Sequence, residues 1–278
     1  MLRIVLASVL LLGSVDAQRD GKLLFVPVRV AGHGPYWFAV DSGAPHSVID
    51  PFIVKELGLT TTAAPPIKGT GQGDVAVQKA PPLEMSIGKV KLRVEEPWVI
   101  DLSGVPIPKT THGLLGADFF ERFVVEIDHE RSTVRFFDPR TFRPPKDAVA
   151  LPLEDTNHRL FLNVTIDVND KERVERRVRI DTGSSDAVGD EAAKRARVVQ
   201  QSTLGQGLGS DYQSVSGRFD AVHLGPFTFR PSWGPATPFP CMGMEMLRRF
   251  TATFDVAHGT LYLRPNRHLK EPVPPPGG

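Results

Sequence analysis

One short signature occurs twice in this chain, 140 positions apart, and it restricts the possible folds more than any other feature. Trp37-Phe38-Ala39-Val40 leads into Asp41-Ser42-Gly43, and Val178-Arg179-Ile180 leads into Asp181-Thr182-Gly183. A little further on each copy has a second aspartate, Asp50 and Asp190, placed to cap a short helix. "DPFIVKELG" has Pro51 at the first helical position and Gly58 at the end, and "DEAAKRAR" is its counterpart. Both copies then carry a Gly-x-Gly-x-Gly segment that reads as a mobile hairpin, "GTGQGD" from Gly69 and "GQGLGS" from Gly205.

The correspondence continues without a gap through "GLLGADFFERFVVEID" and "FPCMGMEMLRRFTATFD". With Gly116 set on Gly243, Asp118 meets Glu245, Arg122 meets Arg249, Phe123 meets Phe250 and Asp128 meets Asp255. Each copy closes on a hairpin pattern, "STVRFFD" and "GTLYLRP", and the stretches between are alternating strands such as "KLLFVPVRV" and "HRLFLNVTIDV". A single Asp-hydroxyl-Gly is expected by chance roughly 0.1 times in a chain of this size, and alone it marks only a glycine-closed turn. Two copies followed by the same elements in the same order indicate a duplicated lobe.

The duplication divides the chain into a leader at 1–17, a first lobe at 22–143, a second lobe at 149–265 and a Pro-rich tail at 266–278. The tail ends in "PVPPPGG" and reads as disordered. Twenty-five prolines and twenty-five glycines favour short strands and turns, so both lobes are expected to be β-rich. Thirty-three basic residues against thirty-two acidic ones leave no net field to recruit nucleic acid or an anionic membrane. Met1 and Arg3, the apolar run Ile4 to Leu12 and the small residues of Val15-Asp16-Ala17 read as a signal peptide cleaved after Ala17. The run is far short of the ~20 residues needed to span a bilayer, so the expected protein is exported, periplasmic or extracellular, with no stable membrane insertion. Cys241, the one cysteine, has no partner for a disulfide within the chain.

Duplicated lobes pack about a pseudo-two-fold axis, which would bring Asp41 and Asp181 face to face. Two carboxylates about 3 Å apart cannot both ionise and hold one proton between them. Such a pair can take a proton from a bound water while giving one to a carbonyl oxygen, so neither a metal nor a cofactor is needed. Ser42 and Thr182 can tie the two loops together by hydrogen bonds into the opposite lobe. Gly43 and Gly183 let backbone N–H groups approach the carboxylates, and Ser184 can donate to the ionised pair where Ala44 cannot. The hairpin glycines Gly71, Gly73 and Gly207 would close over an extended peptide. His33, His46, His112 and His129 lack metal-ligand spacing.

These features resemble the aspartic proteases. The apolar-apolar-Asp-[Ser/Thr]-Gly strand and the later Leu114-Leu115-Gly116, with Cys241-Met242-Gly243 in the second copy, are similar to the retroviral-type protease unit. Here the unit is fused twice in one chain, as in pepsin-like enzymes, and the resemblance covers about residues 22–265. It implies an all-β acid-protease fold with an active cleft between two lobes. It also implies Asp41 and Asp181 as the catalytic pair, peptide or protein substrates, and a monomer with pseudo-two-fold symmetry. The short lobes, the leader and the lack of disulfides resemble exported bacterial relatives. The alternative is a catalytically inactive peptide-binding or ligand-binding protein that reuses the cleft. The first hairpin has no tyrosine of the kind pepsin-like flaps use, and Tyr212 stands in the second.

Overall fold

Alternation in the sequence becomes alternation of burial. In the strand Leu23–Val30, Leu24, Val26, Val28 and Val30 are buried, and in Leu160–Asn169 the buried set is Leu160, Leu162, Val164, Ile166 and Val168. A period of two with one apolar face is the pattern of a strand packed on a core, and these two strands occupy matching places in the two lobes. The computed structural model describes residues 10–205 and 207–275. Met1, Arg3 and most of the leader's apolar run lie outside the described residues. Among the described residues no helix is long and apolar enough to cross a membrane.

The two lobes are built alike. In the first, His33–Val40 runs parallel to Thr111–Leu115, which pairs antiparallel with Val48–Ile49. In the second, Glu172–Ile180 runs parallel to Cys241–Met242, which pairs antiparallel with Val188–Gly189. The all-β expectation holds: the helical elements are short, and both capping aspartates act as the sequence implies. Asp50 Oδ1 accepts the Phe52 N–H at the start of Pro51–Glu56, and Asp190 Oδ1 accepts the Ala192 N–H at the start of the 3₁₀ turn Glu191–Arg195. Gly58 closes the first helix with a φ of 61°, a conformation in which glycine is the natural choice.

A six-stranded sheet joins the lobes. At its centre Val124–Asp128 pairs antiparallel with Phe250–Asp255, Val125 opposite Phe254 and Asp128 opposite Thr251. Thr133–Phe137 and Thr260–Pro265 flank this pair, and the outermost strands are Leu11–Asp16 and Val149–Pro152. Each outermost strand precedes its own lobe in the sequence, so they are symmetry mates. The segment read as the end of a cleaved leader is therefore a sheet strand here, with Val15 opposite Val134.

The tail departs from expectation. From Asn266 to Val273 it lies against the second lobe: Val273 is buried, and the wholly buried Arg249 guanidinium donates to the carbonyl oxygens of His268, Glu271 and Pro272. A buried guanidinium needs acceptors for its N–H groups, and the tail supplies them. Its last three residues, 276–278, lie outside the described residues.

Candidate active site

Each aspartate sits at the end of a strand and is set by the parallel strand beside it. Asp41 N–H donates to Leu115 O at 3.0 Å, and Asp181 N–H donates to Met242 O at 3.0 Å. The glycines that follow those partners have no room for a side chain. A Cβ on Gly116 would lie 2.4 Å from His46 O, and one on Gly243 would lie 2.6 Å from Asp186 O.

The two loops lock into each other. Ser42 N–H donates to Thr182 Oγ1 at 2.8 Å, and Thr182 N–H donates to Ser42 Oγ at 3.1 Å. Each hydroxyl then donates onward into the opposite lobe, Ser42 to Ile180 O at 3.0 Å and Thr182 to Val40 O at 2.8 Å. The carboxyl groups pack crosswise over the glycines. A Cβ on Gly43 would stand 2.5 Å from Asp181 Cγ, and one on Gly183 would stand 2.5 Å from Asp41 Cγ. The structure thus brings Asp41, Ser42, Gly43, Asp181, Thr182 and Gly183 into one constellation. Among the inner partners, Asp41 Oδ1 accepts from Gly43 and Ala44 N–H, and Asp181 Oδ1 accepts from Gly183 N–H.

Ser184 does not fill the place anticipated for it. Its hydroxyl turns to Asp186, accepting the Asp186 N–H at 3.2 Å and lying 3.5 Å from Asp186 Oδ2. Closing the local turn on Asp186 takes the oxygen that could have served the carboxyl pair. The contact that Asp181 Oδ2 does receive comes from Arg179, whose Nη2 donates to it at 2.8 Å. Arg179 belongs to the strand Glu172–Ile180, between the apolar Val178 and Ile180. The signal that could have found it is the strand period: residues two apart share a face, so a cation two positions before the aspartate faces the same cleft.

Electrostatics at the pair are uneven. Burial, and then the charge of Asp181, push Asp41 well above the usual carboxylate range; Arg179 and the Gly43 and Ala44 N–H groups oppose the shift. Burial works against the Arg179 charge, but attraction to Asp181 and Asp41 keeps it above its ordinary value. Burial also pushes the Cys241 thiol up to about 12, which leaves it a neutral packing group.

The two glycine hairpins meet at their tips. Gln72 and Ser210 exchange both backbone hydrogen bonds at 2.8 Å, and Gly71 N–H donates to Leu208 O at 2.9 Å. Glycine is needed at these tips for the contact between them. A Cβ on Gly69 would lie 2.1 Å from Leu208 O, one on Gly71 would lie 2.7 Å from Ser210 O, and one on Gly209 would lie 2.8 Å from Gln72 O. Gly207 packs on the Thr70 hydroxyl, while Gly73 faces open space and serves the turn. Tyr212 begins the strand Tyr212–Phe219 and lays its ring along Gly205 of its own hairpin.

Residues 26–119, within the first lobe, match the family model described as aspartyl protease. That segment is similar to the aspartyl protease family. The crystal structure of basic 7S globulin from soybean resembles it along nearly its whole length, with a TM-score of 0.50, 12% identity and coverage of 92% of this chain and 95% of that one. That likeness is one of fold and spans both lobes. No curated protein sequence matches at a significant level. The family match ends before Asp181, so the second half of the candidate site rests on the geometry given above.

Proposed function

We propose that the protein is an exported aspartic endopeptidase, working as a single chain, that hydrolyses peptide bonds with a water held between Asp41 and Asp181. The observation that carries this reading is the crosswise packing of the two carboxyl groups, fixed by the reciprocal Ser42 and Thr182 bonds. An extended peptide would lie in the cleft beneath the paired hairpins, bonded through its backbone, and hairpin closure would exclude water from the reacting centre. The charged carboxylate takes one proton from the water as its oxygen bonds to the carbonyl carbon, while the protonated carboxyl gives its proton to the carbonyl oxygen. In the second step the proton taken from water passes to the amide nitrogen, the C–N bond breaks, and the diol returns a proton to the other aspartate. The pair ends as it began, so no co-reactant is consumed.

The test is incubation of the purified chain with a peptide library across a pH series, with and without a statine-type mimic of the tetrahedral intermediate. Cleavage blocked by the mimic is expected. The ion pair of Asp181 with Arg179 favours a second reading, a peptide-binding protein whose pair no longer turns over. Saturable peptide binding with no cleavage at any pH would establish that reading and overturn the first.

A further inference from the structure

Strand register puts Arg179 where the first lobe has Ala39. Ala39 stands between Phe25 and Leu114 on the neighbouring strands, and Arg179 stands between Phe161 and Cys241. The two surroundings correspond position by position, and the lobes differ in the side chain at the centre. In the second lobe that side chain is a cation whose Nη2 lies 2.8 Å from Asp181 Oδ2. Among the described residues, the first-lobe carboxylate accepts only backbone N–H groups, on Oδ1. A guanidinium in contact with one carboxylate of a close pair favours the charge on that carboxylate.

We infer that Arg179 breaks the two-fold symmetry of the carboxyl pair, holding its single negative charge on Asp181 and leaving the shared proton on Asp41. Resting on the peptidase reading, this fixes the roles: Asp181 takes the proton from water, and Asp41 gives one to the carbonyl oxygen. Arg179 acts through Asp181 and is a positioning residue.

The other charged groups around the pair do not supply this bias. Asp186 is driven toward its neutral form by burial, and the Cys241 thiol stays protonated. Lys22, which acts on Asp186, is ion-paired with Glu245 at 2.8 Å. Arg159 acts on Arg179 itself. On the flap side, burial raises the Tyr212 hydroxyl, which stays neutral. Arg179 is thus the positive side chain in contact with the pair among the described residues.

The experiment titrates the pair without substrate and then with it. Protein carrying ¹³C-carboxyl aspartate is followed by NMR over pH as wild type, Arg179→Leu and Arg179→Lys, with Asp41→Asn and Asp181→Asn assigning the two signals. In Arg179→Leu the lower of the pair's two ionisation steps is expected to rise by about one to three pH units. The acid limb of kcat/KM should rise with it, and Arg179→Lys should restore most of the shift. A lower step that stays in place in a folded Arg179→Leu variant overturns the inference, even if activity falls, because a structural role alone would not move it. Should that variant fail to fold, Arg179→Gln keeps the length of the side chain and removes the charge, and the same shift is expected. Titration as described with no peptide cleavage would remove the peptidase reading and leave the inference standing. Turnover with an unmoved lower step would do the reverse.

Discussion

In the first lobe the strand that carries Asp41 places Ala39 inside an apolar cluster of Phe25, Val48, Val77, Ile100 and Leu114. In the second the corresponding strand presents Arg179, and the neighbouring positions hold Phe161 and Cys241. The backbones match to the level of single hydrogen bonds, Asp41 to Leu115 and Asp181 to Met242. What duplication has kept is what the turn geometry demands: the aspartate, the hydroxyl that crosses to the other lobe, and glycines where a Cβ would strike the opposite carboxyl. What it has released is the face of each sheet that looks into the cleft. A site with two-fold backbone symmetry can therefore hold an asymmetric charge.

The largest effect expected from breaking this comparison is on catalysis. Asp41→Asn and Asp181→Asn should each reduce kcat by about a thousandfold or more, since both proton transfers fail when one carboxyl is lost. Their stabilities should differ. Burial favours a neutral Asp41, so its amide replacement is close in charge and shape, whereas the Asp181 amide leaves the Arg179 guanidinium half-buried without its carboxylate. Parallel denaturant melts should show Asp181→Asn as the less stable of the two, and equal melts would mean that the Arg179 contact carries no energy.

The next effect is on stability and sets Arg249 against its mate Arg122. Arg249 is fully buried and bonded to Glu245 and to the tail, while Arg122 is exposed and lies over the Phe123 ring. Arg249→Leu should cost about 3–5 kcal/mol, because it takes one cation from the buried Glu245 and leaves the carbonyl oxygens of Glu245, His268 and Pro272 without their donor. Arg122→Leu should cost about 1 kcal/mol or less. The pH dependence follows from Glu245. Burial raises its carboxyl, but hydrogen bonds from Arg248 and Lys22 outweigh this and hold it below the usual glutamate range. A group with a depressed folded-state pKa stabilises above its ordinary value and loses that contribution as pH falls through the depressed one. The gap between wild type and Arg248→Leu in urea midpoint should therefore narrow in acid.

Much of this architecture was legible because it rests on local chemistry. Asp50 and Asp190 cap their helices through N–H groups two residues away, and the strand alternation around Leu24 and Leu160 needs only its neighbours. The reciprocal Ser42 and Thr182 bonds followed once the duplication implied an axis between the lobes. Contacts made only through space were not legible. The hairpin tips bond to each other, with Gln72 opposite Ser210, and no local pattern in "GTGQGD" or "GQGLGS" specifies that pairing. The tail was misjudged because its proline-rich composition says nothing of Arg249, whose donors take its carbonyls. Arg179 is a different case: the period of the strand puts it on the same face as Asp181, but with Val178 and Ile180 on either side the stretch reads as an apolar strand.

A smaller effect compares the two outer strands of the joining sheet. Val149–Pro152 lies between the lobes and is always present, whereas Leu11–Asp16 would be lost by cleavage after Ala17. Leu12 and Val15 are half-buried against the core. Half-burial of two aliphatic side chains contributes about 2 kcal/mol, so chain 18–278 should fold and be less stable than chain 10–278 by that amount in denaturant melts. Equal midpoints would mean that the strand adds nothing and that an export cut after Ala17 leaves the fold untouched. A loss of the expected size would favour export with a cut ahead of Leu11, which keeps the edge of Thr133–Phe137 covered.

The smallest difference expected lies between the two helix caps. Removing a capping aspartate costs about 1 kcal/mol, so Asp50→Ala should lower stability by that much. Asp190 makes the same cap and in addition accepts from Arg176 Nε at 2.7 Å, with its own side chain almost wholly buried and that of Arg176 about one-third exposed. An ion pair with one partner this exposed is screened and contributes up to about 1 kcal/mol. Asp190→Ala should therefore cost about 1–2 kcal/mol, and Asp190→Asn, which keeps a capping oxygen and loses the charge, should recover the cap and forfeit only the pair. If Asp190→Asn is as damaging as Asp190→Ala, the energy lies in the Arg176 contact, and the second lobe holds this turn by a salt bridge where the first holds it by a cap.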